Sequence, residues 1–181
     1  MLTYNISGAS PSQVSCSFSG NLYSYGRYYG QTADYKRENY YVHYYRYIYR
    51  YTIGSNGCIN TNYSSRIFVG NWYYSYGMDH HPSNELILYG NDWNNNRVTK
   101  VTLNTSRSGY TALKHVGRYG RNASKTGNVR MYGPWGLTVD KTNNRVLSSS
   151  YYKQSVNAFD LDLNFDKEFG GSAGTRMTCL L

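Results

Sequence analysis

The chain has 181 residues and a net charge of +9, with 19 Lys and Arg against 10 Asp and Glu. This length suits one domain or a large part of one, and it suffices to bury a core without disulfides or metal ions. Its three prolines and its lack of long apolar runs exclude a proline-rich disordered chain and a membrane-spanning helix. The 23 tyrosines favour layered β-sheet, and the positive charge favours polyanionic partners.

The first residues, MLTYNISGAS, lack the basic region and the apolar run of a signal peptide. Cys16, Cys58 and Cys179 form no CxxC pair, so neither a disulfide framework nor a cysteine-based zinc site is expected. We expect three unpaired thiols. This favours the cytoplasm, although the sequence alone leaves the compartment unknown.

Residues 1–75 form a tyrosine-rich segment that is interpreted as a degenerate first repeat. Within it, YYVHYYRYIYRY, residues 40–51, holds seven tyrosines and no acidic residue. Residues alternate from Tyr45 to Ile53, which predicts one long outer strand with tyrosines on one face and arginines on the other. A base-stacking platform and an aggregating strand are the alternatives for this stretch.

Two later segments repeat each other. Residues 76–103 and 135–161 each hold short apolar stretches between Gly, Asn, Asp and Ser clusters, which indicates successive hairpins. Each unit fits a four-stranded antiparallel meander, the blade of a β-propeller. The predicted fold is therefore all-β, a partial or low-blade-number β-propeller, with blades at 76–134 and 135–181. The second of these ranges would end at the start of a further, missing blade. Open blade edges would favour self-association.

The stretch GPWGLTVDKTNNRVLSSSYYKQSVNAFDLDLNFDKEFG, residues 133–170, resembles an NHL repeat, as does NDWNNNRVTKV, residues 91–101. The resemblance covers 76–174, and YVTN-type and lactonase-type propellers have similar patterns. In NHL repeats an Asp and an Arg brace the turn between strands two and three, which here implies an Asp92–Arg97 pair. The third unit has Ser150 and Ser155 at these positions, so the pair should be missing there.

A basic loop connects the two repeats. The loop, residues 117–133, carries four cations and no acid, and in a propeller it lies on the same rim as the turns at 92–96 and 150–154. Cations that meet phosphates and aromatic faces that stack on bases suit single-stranded nucleic acid, and some NHL propellers bind RNA there. The candidate binding residues are Trp93, Arg118, Tyr119, Arg121, Lys125, Arg130, Tyr151, Tyr152 and Lys153.

No catalytic pattern emerges from the chain. The MDHHP stretch places His80 and His81 on opposite faces of a strand, and we expect it to form a polar turn without metal. We expect no catalytic residue, cofactor or metal ion. The predicted function is a non-catalytic propeller module that acts as a protein-interaction scaffold. The first alternative is single-stranded RNA binding on the rim, and the second is a fragment of an NHL-type or lactonase-type propeller enzyme.

Overall fold

A computed structural model describes residues 30–60, 62–119 and 129–170. Strands and turns account for all of these ranges, so no helix in them could cross a membrane. The strands are β1 (Gln31–Ala33), β2 (Asn39–Tyr44), β3 (Tyr47–Thr52), β4 (Ser65–Phe68), β5 (Met78–His80), β6 (Ile87–Asp92), β7 (Arg97–Leu103), β8 (Tyr110–Val116), β9 (Arg118–Tyr119), β10 (Arg130–Met131), β11 (Pro134–Asp140), β12 (Arg145–Ser150), β13 (Ser155–Asp160) and β14 (Phe165–Gly170).

Twelve of these strands form three antiparallel sheets, each with its four strands in chain order. We call β1–β4 blade 1, β5–β8 blade 2 and β11–β14 blade 3; β9 and β10 form a short parallel pair between blades 2 and 3. The innermost strand of blade 2, β5, contacts β1 on one side and β11 on the other. This arrangement confirms the predicted fold class, an all-β partial propeller of four-stranded meanders.

The tyrosine-rich stretch is a hairpin rather than one outer strand. Strands β2 and β3 are the two middle strands of blade 1, with Tyr44 opposite Tyr47. The chain reverses at Tyr45 and Arg46, and Tyr45 adopts a left-handed φ of 56°. Blades 2 and 3 use four-residue turns at 93–96 and 151–154. Because the blade 1 turn is two residues shorter, the repeat is difficult to align from the sequence.

In all three blades, the hairpin formed by the second and third strands has an equivalent pairing of residues. Tyr44 and Tyr47 of blade 1 occupy the places of Asp92 and Arg97 in blade 2. Arg97 Nε donates to Asp92 Oδ2 at 2.9 Å, so the predicted brace is confirmed. Burial raises the pKa of Asp92 to about 6, against the lowering influence of Asn95 and Arg97. In blade 3 the pair is missing as predicted, and Ser150 lies opposite Ser155.

Aspartates end several strands and close the turns that follow. In each case one carboxylate oxygen accepts a hydrogen bond from a backbone N–H and the other accepts one from the side-chain amide of a nearby asparagine. These local hydrogen bonds favour a turn over continuation of the strand. The pairs are Asp34–Asn39, Asp92–Asn95, Asp140–Asn143 and Asp160–Asn164. These turns explain why the Asp and Asn clusters mark the strand ends in the sequence.

The apolar core lies between the blades. Blades 1 and 2 and the link that joins them enclose one buried cluster, whose members are Tyr41, Ile48, Ile67, Val69, Trp72, Met78, Leu88, Val101 and Leu103. Blades 2 and 3 and their link enclose another, whose members are Tyr89, Val98, Val129, Met131, Val139, Val146, Phe159 and Leu163. The other face of blade 1 is rich in tyrosine and buries Val42, Tyr49 and Tyr51. This face is turned away from blade 2. Its burial agrees with the layered β-sheet that the high tyrosine content predicts.

The cysteine expectation is wrong at one position. Cys58 is disulfide-bonded, whereas three unpaired thiols were predicted. Disulfides persist mainly in oxidising compartments. The cytoplasmic expectation was based on unpaired cysteines and on the lack of a signal-peptide pattern, and the first of these does not hold for Cys58. The other two cysteines lie outside the described residues.

Candidate binding rim

The turns between second and third strands share one edge of the molecule with the links between blades. We call this edge the rim. The Val69 N–H donates to Arg46 O at 2.8 Å, the Trp93 N–H to Tyr74 O at 3.3 Å, and the Tyr151 N–H to Gly133 O at 2.8 Å. Each link is thus tied by its backbone to an adjacent turn, which is the placement that the propeller pattern predicts.

Six aromatic side chains meet on the rim where blades 2 and 3 adjoin. We call them the aromatic cluster: Tyr76, Trp93, Tyr132, Trp135, Tyr151 and Tyr152. Tyr76 and Trp135 stack with centroids 4.3 Å apart and planes 6° apart. Trp93 stands edge-on to both, at 5.3 Å from each centroid. Tyr151 and Tyr152 are 61% and 53% exposed and Trp135 is 41% exposed, so the cluster is packed within itself yet open to solvent.

Asn91 holds two of these rings in position. Its buried side chain accepts the backbone N–H groups of Tyr76 and Gly77 at 2.8 and 3.1 Å, and its amide donates to Trp135 O. One residue of β6 therefore joins the link before blade 2 to the first strand of blade 3. This bridging makes the Tyr76–Trp135 stack a fixed feature of the rim rather than a chance contact of two mobile rings.

The remaining rings surround a shallow cleft. Trp93, Tyr132 and Tyr152 line it together with Asn94 and Asn96. Gly133 forms its floor, because a Cβ at this position would lie 2.8 Å from both the Trp93 and the Tyr152 rings. Gly133 also has a φ of 63°, in the left-handed region where glycine is favoured.

The three tryptophans differ in how their indole N–H groups are used. Trp72 is fully buried and donates to Asn91 O at 2.7 Å. Trp93 and Trp135 find no hydrogen-bond acceptor among the residues that the structure describes. The indole N–H of a buried tryptophan is normally hydrogen-bonded within the protein. The indole N–H groups of Trp93 and Trp135 are therefore available to donate to a bound molecule.

The predicted cations are only partly gathered here. Arg118 is exposed and lies opposite Arg130 across the β9–β10 pair. The Lys153 side chain is only 5% exposed and forms an ion pair with Glu168 at 2.6 Å, so its charge is already neutralised. Arg121 and Lys125 lie outside the described residues, as does the side chain of Tyr119. The structure therefore brings Trp93, Tyr151 and Tyr152 together and leaves Lys153 paired within blade 3.

The rim continues toward blade 1. The Arg46 guanidinium lies 4.7 Å from the Tyr73 ring centroid and 5.8 Å from that of Tyr45. Tyr45 also meets Tyr74, with centroids 6.3 Å apart. The turn of the tyrosine-rich hairpin thus supplies an arginine–tyrosine patch to the same edge.

At the innermost strands, a polar network joins the three blades. Asp79 accepts the Val139 N–H at 2.8 Å, and the hydroxyl of Thr32 lies 3.2 Å from His80 Nδ1. The Lys141 ammonium lies 3.1 Å from His80 Nε2. Burial alone would raise the pKa of Asp79, but hydrogen bonds from His80 and Val139 hold it below its usual value. The MDH part of the predicted polar turn is therefore β5, and its side chains tie neighbouring blades together.

No three His, Cys, Asp or Glu side chains are grouped to hold a metal ion within 30–60, 62–119 and 129–170. The sequence interpretation missed Tyr76, Asn91, Tyr132 and Trp135. A signal for two of them was present, because an aromatic residue precedes the aligned glycine in both repeats, in Tyr76–Gly77 and Trp135–Gly136. The role of Asn91 depends on contacts across blades, which no local pattern contains.

No protein-family model matches the chain, and no curated protein matches its sequence. Solved structures do resemble its fold. Hydrazine synthase from Kuenenia stuttgartiensis matches with a TM-score of 0.57 at 9% identity, over 79% of this chain and 35% of that one. A functionally unknown protein from Desulfotomaculum acetoxidans DSM 771 matches with a TM-score of 0.56 at 10% identity, over 79% of this chain and 42% of that one. The chain thus spans less than half the length of both similar structures, and the likeness concerns the fold alone.

Proposed function

We propose that the chain is a non-catalytic, NHL-like propeller module that binds a protein partner through the aromatic cluster. The observation that carries this proposal is the pair of tryptophans, half-buried Trp93 and exposed Trp135, which pack with four tyrosines and whose indole N–H groups have no acceptor among the described residues. Tryptophan and tyrosine dominate the binding energy of protein interfaces, and they concentrate in compact central patches.

The cluster is suited to binding because it is already ordered. Asn91 fixes the backbone of Tyr76 and Trp135, and Gly133 lies directly beneath Trp93 and Tyr152. Rings that are held before binding lose little conformational entropy when a partner arrives. The NHL assignment is supported by the Asp92–Arg97 brace at 2.9 Å, in the segment that carries the NHL-like pattern.

A random peptide library, selected on the immobilised chain, tests this function. We expect enrichment on the wild type and its loss on a variant with Trp93→Ala and Trp135→Ala. Tyr35→Ala is the matched control, because Tyr35 is 53% exposed in the turn between β1 and β2, at the opposite end of the blade from the rim. Equal enrichment on all three proteins, or none on the wild type, would refute protein binding by the rim.

Single-stranded RNA is the second candidate, favoured by the Arg118 and Arg130 pair beside the cluster. It ranks second for two reasons. The Trp135 face that stacks on Tyr76 is not open to a base, and Lys153 is neutralised by Glu168. RNA binding should weaken steeply with salt and with combined Arg118→Ala, Arg121→Ala and Lys125→Ala changes. An absence of oligouridylate binding at about 50 mM salt would remove this candidate.

A further inference from the structure

The proposed protein partner can be described more closely from the chemistry of the rim. Building on that proposed function, we infer that the rim binds an extended proline-rich segment flanked by acidic residues. Three properties of the aromatic cluster support this: the kind of hydrogen-bonding groups it offers, the shape of its ring arrangement, and the charge around it.

The first property is an excess of hydrogen-bond donors. An indole nitrogen donates and cannot accept, and the Trp93 and Trp135 donors have no acceptor in the described part of the chain. Proline has lost its N–H but keeps its carbonyl, and in the polyproline II conformation these carbonyls have no internal partner. A segment rich in proline therefore offers acceptors without introducing donors that the cluster would leave unpaired.

The second property is the arrangement of the rings. Trp93 stands at 78° to Tyr76 and at 81° to Trp135, so its edge and their faces form a corner. On its other side, Trp93 and Tyr152 flank the cleft above Gly133 with planes 50° apart. Adjacent aromatic corners and clefts are how proline-binding modules receive successive prolyl rings, and the stiff polyproline II helix loses little entropy on docking.

The third property is the charge. Arg118 and Arg130 adjoin the cluster next to Tyr132, and the chain as a whole has a net charge of +9. The rim carboxylates of Asp92 and Glu168 are already paired with Arg97 and Lys153. Acidic residues on either side of the prolines would complement these arginines and accelerate association.

Fluorescence anisotropy with labelled synthetic peptides tests the inference. The probe consists of repeated Glu-Pro-Pro triplets, and the two control peptides consist of repeated Glu-Ala-Ala and repeated Lys-Pro-Pro triplets. We expect the Glu-Pro-Pro peptide to bind at least tenfold more tightly than either control. We also expect Trp93→Ala with Trp135→Ala to abolish its binding and Tyr35→Ala to leave it unchanged, with the fold of each variant verified by circular dichroism.

The outcomes separate this inference from the proposed function. If library peptides bind the rim in a tryptophan-dependent way but carry no proline, protein binding stands and the proline inference fails. If Glu-Ala-Ala binds as well as Glu-Pro-Pro, charge alone acts and the inference fails. If Lys-Pro-Pro binds equally, the acidic part fails. Binding of oligouridylate, with no binding of Glu-Pro-Pro or of any library peptide, would overturn both in favour of RNA.

Discussion

The interface between blades 1 and 2 and the interface between blades 2 and 3 fill equivalent positions with different residues. Tyr73 N–H donates to Asp92, and Tyr132 N–H donates to Ser150, which places Trp72 and Met131 at matching points of the two links. Trp72 lies directly over Gly90, where an added Cβ would be 2.2 Å from the ring. In blade 3 the position of Gly90 is taken by Ser148, and that of Trp72 by the smaller Met131.

The ion pair next to the link also occupies a different position in each of the two interfaces. In blade 2, Arg97 pairs with Asp92 and donates to the carbonyl of Asn71 at 3.0 Å. In blade 3, Lys153 pairs with Glu168 on the outer strand and lies 3.4 Å from the carbonyl of Arg130, which is the matching link residue. A cationic side chain therefore holds the link in both blades. In blade 2 it is Arg97 at the start of β7, paired with Asp92, and in blade 3 it is Lys153 in the turn between β12 and β13, paired with Glu168.

This exchange leaves polar groups unpaired at described positions of blade 3 whose counterparts in blade 2 are satisfied. Ser148, Ser155 and Asn157 are buried, and the Asn157 amide and both hydroxyls have no hydrogen-bond partner among the described residues. Unpaired buried polar groups reduce stability, whereas the matching region of blade 2 is braced and satisfied. The brace of blade 2 is thus replaced in blade 3 by a different group of contacts, and we expect the replacement to lower local stability.

The largest expected effect is a pH dependence that originates in the blade 1–2 interface. His43 is fully buried against Trp72, with ring centroids 4.4 Å apart, and burial lowers its pKa to about 3. Its unfolded pKa is near 6.5, so the stability present above that value is lost as pH falls toward 3. At about 1.4 kcal/mol per pH unit, this loss reaches several kcal/mol.

Urea denaturation across this pH range checks the expectation. His43→Phe should remove the part of the acid slope that His43 causes, because the variant has no group to protonate there. Some slope should persist from His115, whose pKa burial lowers to about 4. An unchanged slope in His43→Phe would show that His43 is accessible to protonation in the folded state.

Breaking the brace is the next largest change. Asp92→Ser should cost about 3 kcal/mol, because Arg97 would keep a largely buried charge without its partner. The double variant Asp92→Ser with Arg97→Ser copies blade 3 and should be less destabilised than Asp92→Ser alone. Chemical denaturation gives both values, and a double variant that is less stable than the single one would contradict the role of the brace.

How far the sequence could predict these features depends on whether contacts are local. The strands and turns of blades 2 and 3 were predictable, because alternation and Asp and Asn clusters are local patterns. The hairpin at Tyr45 was not, since a two-residue turn without Gly or Asn gives no ordinary turn signal. The rim could be located from the propeller pattern, but the contacts of Asn91 form only when blades pack, and the Lys153–Glu168 pair joins a turn to the outer strand of the same blade, which no local pattern contains.

Alanine at the two matching positions should affect the two interfaces differently. Gly90→Ala would force Trp72 to move and should cost about 2 kcal/mol. Ser148→Ala removes a buried hydroxyl that lacks a partner and should be close to neutral. Thermal and urea unfolding of both variants provide the comparison. Equal destabilisation would mean that Trp72 and Met131 do not differ in how tightly they fill the space above these positions.

The smallest expected effect is a gain in stability at the blade 2–3 interface. Asn157→Leu replaces a buried amide that has no described partner with an apolar side chain of similar size, next to the cluster that includes Phe159. We expect stabilisation by about 1 kcal/mol, since the desolvation cost of the amide disappears while packing is kept. Thr99→Val is the matched control, because Thr99 lies at the same position of blade 2 and its hydroxyl is 2.9 Å from His115 Nδ1. This control should lose stability by a similar amount. If Asn157→Leu is destabilising while Thr99→Val behaves as expected, Asn157 has a partner such as an ordered water, and this position of blade 3 is as well satisfied as its counterpart in blade 2.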